Sequence, residues 1–278
     1  MFNFIKQLLM PSLSKIGKKY NCDKFTVHNF APSYETYLSH LRWKKFRLLE
    51  IGVGEEESRS GGASLKTWRD YFLRAEIIGL DLYDKSYLDS GRIRTIQIDQ
   101  NDQEAIEAMA ANNGPFDVVI DDGSHMSMDT LRAFFILFNH VTDGGYYVIE
   151  DIQTGYWPSY GGTSVAQPFE MNIISWLKTL IDIVNVNEIL WDGHLAKKTG
   201  LIIESVHFYR NIAFIKKGVR AESSNVVSDV ALRSQWLLDD LNKHHITLDF
   251  SEEFDSSLEL RRETLKIAQE MYAKKKAE

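Results

Sequence analysis

A chain of 278 residues, 44% hydrophobic and 26% charged, has an ordinary globular composition and length enough for a sizeable core, which excludes disorder as the default state. Its net charge of -7 excludes the concentrated basic surface that phosphate-backbone binding needs, so nucleic acid is not an expected partner. No apolar run reaches the roughly 18 residues of a membrane span, and a single cysteine, Cys22, excludes an internal disulfide and a cysteine-based zinc cage, which points to the cytoplasm.

Residues 1–45 read as an N-terminal helical flap. The first 22 residues contain Lys6, Lys15, Lys18 and Lys19 and no acid. Pro11 interrupts them and no long apolar stretch follows, so the segment reads as an amphipathic helix packed on its own domain or on a neighbouring subunit, rather than as a targeting segment. Residues 46–220 form the expected core domain. Five apolar segments read as short strands: "FRLLEIGVG" (46–54), "EIIGLDLY" (76–83), "IRTIQID" (93–99), "FDVVID" (116–121) and "GYYVIED" (145–151). Their nearly continuous apolar character is that of strands covered on both faces. The patterns "SLKTWRDYFLRA", "DQEAIEAMAANN" and "MDTLRAFFILFNHV" place helices between them. Such alternation predicts a doubly wound, right-handed parallel sheet. The loop "QTGYWPSYGGTSVAQPF" (153–169) is long enough to act as a lid, and "EMNIISWLKTLIDIVN" after it reads as a helix. Two further runs, "IIESVHFYR" and "IAFIKKG", meet at Arg210 and Asn211 as a hairpin that finishes the sheet with antiparallel pairing. The predicted fold is therefore α/β and Rossmann-like, a seven-stranded, mostly parallel sheet with helices on both faces. Residues 221–278 read as a charged C-terminal helical extension.

In such a sheet the ligand crevice lies at the carboxyl ends of the strands. Glu50, Gly52, Gly54, Asp81, Asp99, Asp121, Asp122, Glu150 and Asp151 all fall there. "EIGVG" supplies two glycines for a close ligand approach. A dinucleotide fingerprint would need a third glycine where Glu57 stands, inside "EEE", a poor neighbour for pyrophosphate. S-adenosylmethionine carries a cationic sulfonium and ammonium instead, so the acids favour a methyl donor. Asp81 stands where a carboxylate accepts from both ribose hydroxyls, and Asp99 with Gln100 where adenine is read. Each acid taken singly reads as a helix cap or a solvated strand end; three successive strand ends in order favour the donor.

Asp122, Glu150 and Asp151 offer three hard oxygen ligands from neighbouring strand ends, the chemistry of magnesium or calcium. Capping by Asp122 or Ser124 of a helix starting near Met126 is the competing account. Three crowded carboxylates repel unless a cation or protons intervene, and a divalent cation is the simpler remedy. His125, three residues beyond Asp122, has the pKa range of a general base at neutral pH. It would remove the proton from an aliphatic hydroxyl that the metal acidifies.

Over roughly residues 20–162, "RLLEIGVG", "GGASLKTWRDYF", "GLDLYDKS", "GPFDVVIDDGSH" and "YVIEDIQTGYWPSYGG" resemble the magnesium-dependent class I O-methyltransferases that act on deoxysugars of macrolide antibiotics. The resemblance implies magnesium on Asp122, Glu150 and Asp151, His125 as general base, and S-adenosylmethionine near Glu50, Gly52, Asp81, Asp99 and Asp121. "GGAS" at 61–64 would line the donor pocket, with Ser64 either facing it or capping the helix. Homo-oligomers are also implied, with N-terminal segments over the site, which makes Tyr34 and Tyr37 either contacts or core residues. The macrolide enzymes carry a long additional N-terminal domain ahead of this region. Tyr156, Trp157 and Tyr160 are placed either to stack on a sugar ring or to pack in a core. The expected activity is O-methylation of a hydroxyl on a sugar of a glycoside, polyketide or polysaccharide. A catechol O-methyltransferase or hydroxylase on the same scaffold, or a non-catalytic partner that binds the donor, are the alternatives.

Overall fold

In the computed structural model the described residues are 10–54, 61–163, 172–189 and 194–219. The expected C-terminal extension, Glu57 and the end of the long loop lie outside them. In chain order the elements are α1 (Leu13–Lys19), α2 (Asp23–Thr26), α3 (Ala31–Leu38), β1 (Arg47–Ile51), α4 (Ala63–Tyr71), β2 (Glu76–Asp81), β3 (Ile93–Gln97) and α5 (Gln103–Asn113). β4 (Phe116–Asp121), α6 (Ser127–Leu137), β5 (Val141–Glu150), α7 (Ile173–Val184), α8 (Leu195–Thr199), β6 (Ile203–Tyr209) and β7 (Ile212–Lys217) complete them.

The strands form one seven-stranded sheet in the order β3-β2-β1-β4-β5-β7-β6. The first five are parallel, and β7 pairs antiparallel with both β5 and β6. The hairpin turns at Arg210 and Asn211, the latter with φ +66°, as the sequence predicts. The chain order reverses between β1 and β4, which opens a crevice beyond their carboxyl ends.

Strand parity sorts the core into two layers. Leu49, Ile51, Val119, Tyr147 and Ile149 face one cluster together with α6 and α7. Leu48, Val118, Ile120, Tyr146 and Val148 face the other, built with α4 and with Leu13, Ile16, Cys22, Phe25, Phe30, Tyr34 and Leu38 of the N-terminal segment. Residues 10–45 thus fill one face of the sheet, and Cys22 is a buried free thiol. Helix α1 buries Leu13 and Ile16 and is capped by Ser12, whose hydroxyl accepts the Lys15 N–H, which agrees with the amphipathic-helix reading. Parity also aims Glu50 of β1 and Glu150 of β5 at this same face, while Asp121 of β4 points to the opposite one. Among the described residues no helix is long and apolar enough to cross a membrane.

Candidate active site

Three groups meet beyond the ends of β4 and β5. Asp122, His125 and Asp151 each offer a ligand atom, and the three atoms lie within 4.8 Å of one another. His125 Nε2 is 3.9 Å from Asp122 Oδ1 and 3.8 Å from Asp151 Oδ2. The backbone explains how adjacent strand-end residues converge. Asp151 has φ +50° and His125 φ +57°, the left-handed region that costs a non-glycine residue about 1–3 kcal/mol and gathers at functional sites. At Asp151 this turn breaks the strand's alternation, so Glu150 and Asp151 both serve the same crevice. Asp151 Oδ1 also accepts Gln153 Nε2–H at 2.9 Å and lies 3.6 Å from His28 Nδ1. Helix α6 begins at Ser127, with no side-chain cap on Met126. Neither Asp122 nor Ser124 occupies the N-cap position, but Ser124 Oγ accepts the Met126 N–H at 3.2 Å and donates to Asp129 Oδ2 at 2.8 Å.

Glu150 is held differently. Its Oε1 accepts the hydroxyl of Tyr34, and its Oε2 accepts Lys24 Nζ at 3.0 Å. The same ammonium contacts Asp122 Oδ2 and lies 3.3 Å from Glu50 Oε1. Lys24 is 3% exposed, Glu50 0% and Glu150 3%, so one buried cation links three carboxylates. A lysine of the chain thus meets part of the charge of Asp122, Glu150 and Glu50, a set that differs from the expected Asp122, Glu150 and Asp151. Burial disfavours the ammonium, yet Asp122, Glu150 and Glu50 hold its pKa well above the ordinary lysine value. Burial also raises Glu150 well above the carboxylate range, against the pull of Lys24. Glu50 is pushed up to about 7 by burial, opposed by Lys24 and by a hydrogen bond from Ser64.

Mycinamicin VI 2''-O-methyltransferase of Micromonospora griseorubida is 43% identical over 213 residues, 75% of this chain and 53% of that protein. Demethylmacrocin O-methyltransferase of Streptomyces fradiae is 39% identical, across 76% of this chain and 54% of its own. A solved structure, the MycE methyltransferase from the mycinamycin biosynthetic pathway in complex with Mg, SAH and mycinamycin VI, is 40% identical. It superposes with a TM-score of 0.70, covering 78% of this chain and 58% of that one. The chain belongs to this family of sugar O-methyltransferases. It spans about half the length of the relatives it matches. No family model matches it. The fold is that of class I S-adenosylmethionine methyltransferases.

For this member of the sugar O-methyltransferase family, the remaining expected site residues separate into two groups. On β1 and β2, Gly52 has φ +83°, and a Cβ there would sit 2.0 Å from the Asp122 carbonyl oxygen. The missing side chain lets the loop after β4 cross β1. Gly54, with φ +92°, turns the chain after the strand. Trp68 Nε1–H donates to Glu50 Oε2 at 3.1 Å, while Glu50 Oε1 is buried without a hydrogen bond. Ser64 is turned to Glu50 and does not cap α4, whose N-cap is the left-handed Gly62. Asp81 accepts the backbone N–H of Val53 and of Tyr83, one on each oxygen, both at 2.9 Å, and a second lone pair on each oxygen stays available to hydroxyl donors.

The second group is structural in its contacts. Asp99 accepts the Asn101 N–H at 2.8 Å. Gln100 donates to Asp121 Oδ1 at 3.2 Å and accepts the Ser124 N–H at 3.0 Å, tying the end of β3 to the loop that carries His125. Asp121 is buried on the face away from Lys24, where Tyr147 donates to it at 3.1 Å. It does not join Asp122. Burial pushes Asp121 up to about 7, opposed by the Tyr147 hydroxyl. A carboxyl whose folded pKa is raised contributes stability below its unfolded value and loses it as pH rises through the folded one. In chelator, wild type should therefore lose stability between about pH 3.8 and 7 relative to Asp121→Asn, by a few kcal/mol. Chemical denaturation across that window checks it; parallel curves for the two proteins would refute the burial argument.

Tyr34 is a core residue, ringed by Phe25, Trp68 and Phe214, whose hydroxyl still reaches the site. Tyr37 lies instead on the hairpin, stacked on His207 at 4.6 Å. Tyr156 and Trp157 are exposed, at 47% and 48%, so they are not a core cluster. Lys24, His28 and Thr154 were not singled out from sequence. The signal that bore on Lys24 was the surplus of acids in the crevice, which calls for a cation without naming its source.

Proposed function

We propose that the chain is an S-adenosylmethionine-dependent O-methyltransferase acting on a sugar hydroxyl of a glycoside, polyketide or polysaccharide. The observation that carries this is the convergence of Asp122, His125 and Asp151 within 4.8 Å beside the donor-side strand ends. Two carboxylates form a hard oxygen donor set that fits magnesium, with Glu150 as the third proposed ligand. Both Glu150 oxygens receive Tyr34 and Lys24, so its engagement requires Lys24 to release a contact. Glu50 Oε1, which makes no hydrogen bond and faces the Lys24 ammonium at 3.3 Å, is the oxygen proposed to meet the ammonium of the donor. Asp81 fits its ribose, Asp99 and Gln100 its adenine end, and Gly52, Gly54, Ser64 and Asp121 the walls around it.

When bound, magnesium would lower the pKa of the acceptor hydroxyl and the sulfonium would supply an electrophilic methyl group. The chain's residues do the rest. His125 accepts the hydroxyl proton at its imidazole, and the oxygen attacks the methyl carbon as the carbon–sulfur bond breaks. Asp151 and Asp122 face the resulting imidazolium and stabilise it. The surplus negative charge of the crevice attracts both cations. Tyr156 and Trp157, exposed at the end of the short turn that follows Asp151, suit stacking on a sugar ring.

The relatives' names support a sugar acceptor over a catechol: mycinamicin VI and an L-rhamnosyl tetracenomycin-C are among their substrates. The His125 constellation favours a catalyst over a donor-binding partner. A cytoplasmic, homo-oligomeric enzyme belongs to the proposal, supported for the compartment by the free buried Cys22. Calorimetric titration with S-adenosylmethionine, with magnesium and after chelation, tests the reading. Donor binding should persist in both, and methylation of a rhamnosyl glycoside should fall by more than about a hundredfold without metal. Turnover untouched by chelation would remove the metal, and faster methylation of a catechol than of any glycoside would change the acceptor class.

A further inference from the structure

Thr154 lies in the short 3-10 turn Ile152–Tyr156 that follows Asp151, and it is buried. Its Oγ1 is 3.1 Å from the carbonyl oxygen of His125 and 2.9 Å from that of Asp151. The Asp151 carbonyl also accepts the backbone N–H of Thr154 at 3.0 Å, and the single hydroxyl proton is shared between the two carbonyls. A threonine in such a turn commonly bonds back to the carbonyl three residues earlier, and that contact alone is local structure. The contact to His125 spans 29 residues of sequence and joins the loop after β4 to the loop after β5. It therefore ties together the backbones of two left-handed residues whose side chains stand 3.8 Å apart.

We propose that Thr154 is a positioning residue whose hydroxyl holds the His125 backbone against Asp151 and so sets the distance between base and metal ligand. The inference rests on the roles proposed above for those two residues. Threonine suits the task because its β-branched side chain is stiff about χ1, so a hydroxyl engaged at both carbonyls has little freedom to drift. Gly155 and Gly162 brace the turn from behind: a Cβ on Gly162 would lie 2.3 Å from the Gly155 carbonyl oxygen, and Thr163 N–H donates to that oxygen at 3.1 Å. The turn is thus fixed by backbone contacts of its own, and the hydroxyl is its link to His125.

The test compares Thr154→Val, which keeps the shape and removes the donor, with Thr154→Ser, which keeps the donor, in the full-length chain. Magnesium affinity by calorimetry and kcat should each fall about 10–100-fold in the valine variant, as for other residues that orient metal ligands. KM for the donor should stay unchanged, and serine should restore most of both losses. Valine behaving as wild type, or serine no better than valine, would overturn the proposal. A crystal structure of Thr154→Val separates this inference from the reading beneath it. If wild type binds no magnesium, the metal reading fails, and the backbone alone decides: His125 leaving its left-handed conformation supports a positioning role, and His125 unmoved refutes it. Should valine prevent folding, Thr154→Ala removes the same hydroxyl and is read in the same way.

Discussion

Replacing His125 by alanine should slow methyl transfer by about 10²–10⁴-fold, the range for loss of a general base, with donor affinity unchanged. The imidazole is the only described group within 4 Å of both Asp122 and Asp151 that can take a proton near neutral pH. The contacts of Glu50 run to Trp68 and Lys24 and those of Asp81 to the Val53 and Tyr83 N–H groups, none of them to His125, so its loss leaves them intact. The measurement is single-turnover methylation together with calorimetric donor binding. Undiminished single-turnover rates would transfer the base to another group, with His28, 3.6 Å from Asp151, the first to examine. Loss of donor binding would instead mean that the loop carrying His125 also shapes the donor pocket, through Gln100 and the Ser124 N–H.

The second large effect concerns folding. Lys24→Met should destabilise the protein by about 3–5 kcal/mol, because it removes one partner of a buried charge network and leaves the others uncompensated. Glu50, Glu150 and Asp122 all lie against that ammonium, and Glu50 and Glu150 are buried in an apolar layer containing Trp68, Phe25 and Phe214. The deficit should depend on pH in a defined sense. Both glutamates have raised folded pKa values, so protonation relieves them at low pH and charge burdens them as pH rises through about 7, the value for Glu50. Urea denaturation of wild type and variant at pH 5 and pH 8 should show a larger difference at pH 8. An equal or smaller difference there would show that Lys24 acts mainly through packing of its stem.

The sheet was legible because each strand is an apolar run ended by charge, and the runs alternate with helical periodicity. The hairpin after α8 was legible in the same way. Asp122, His125 and Asp151 were visible as strand endings, since charge placed directly after a buried strand reports a crevice. What sequence could not convey was direction. Glu150 and Asp121 look alike as terminal acids, yet strand parity sends one to Lys24 and the other to Tyr147. Lys24 itself sits 98 residues from Asp122 and 126 from Glu150, and a lysine that directly follows an aspartate, Asp23, reads as solvated. The hydroxyl of Thr154 was equally hidden, because its second partner belongs to another loop.

The left-handed conformations at positions 125 and 151 restrict which amino acids evolution or a selection experiment can place there. Glycine satisfies the backbone but carries no functional atom, and asparagine tolerates the same region while lacking the charge or the base. Valine or isoleucine fits neither demand. Backbone tolerance and chemistry overlap in very few side chains, so a saturation library at these two positions would divide sharply: variants that fold, a short set drawn from glycine, asparagine, aspartate and histidine, and, nested within them, the far smaller number that turn over.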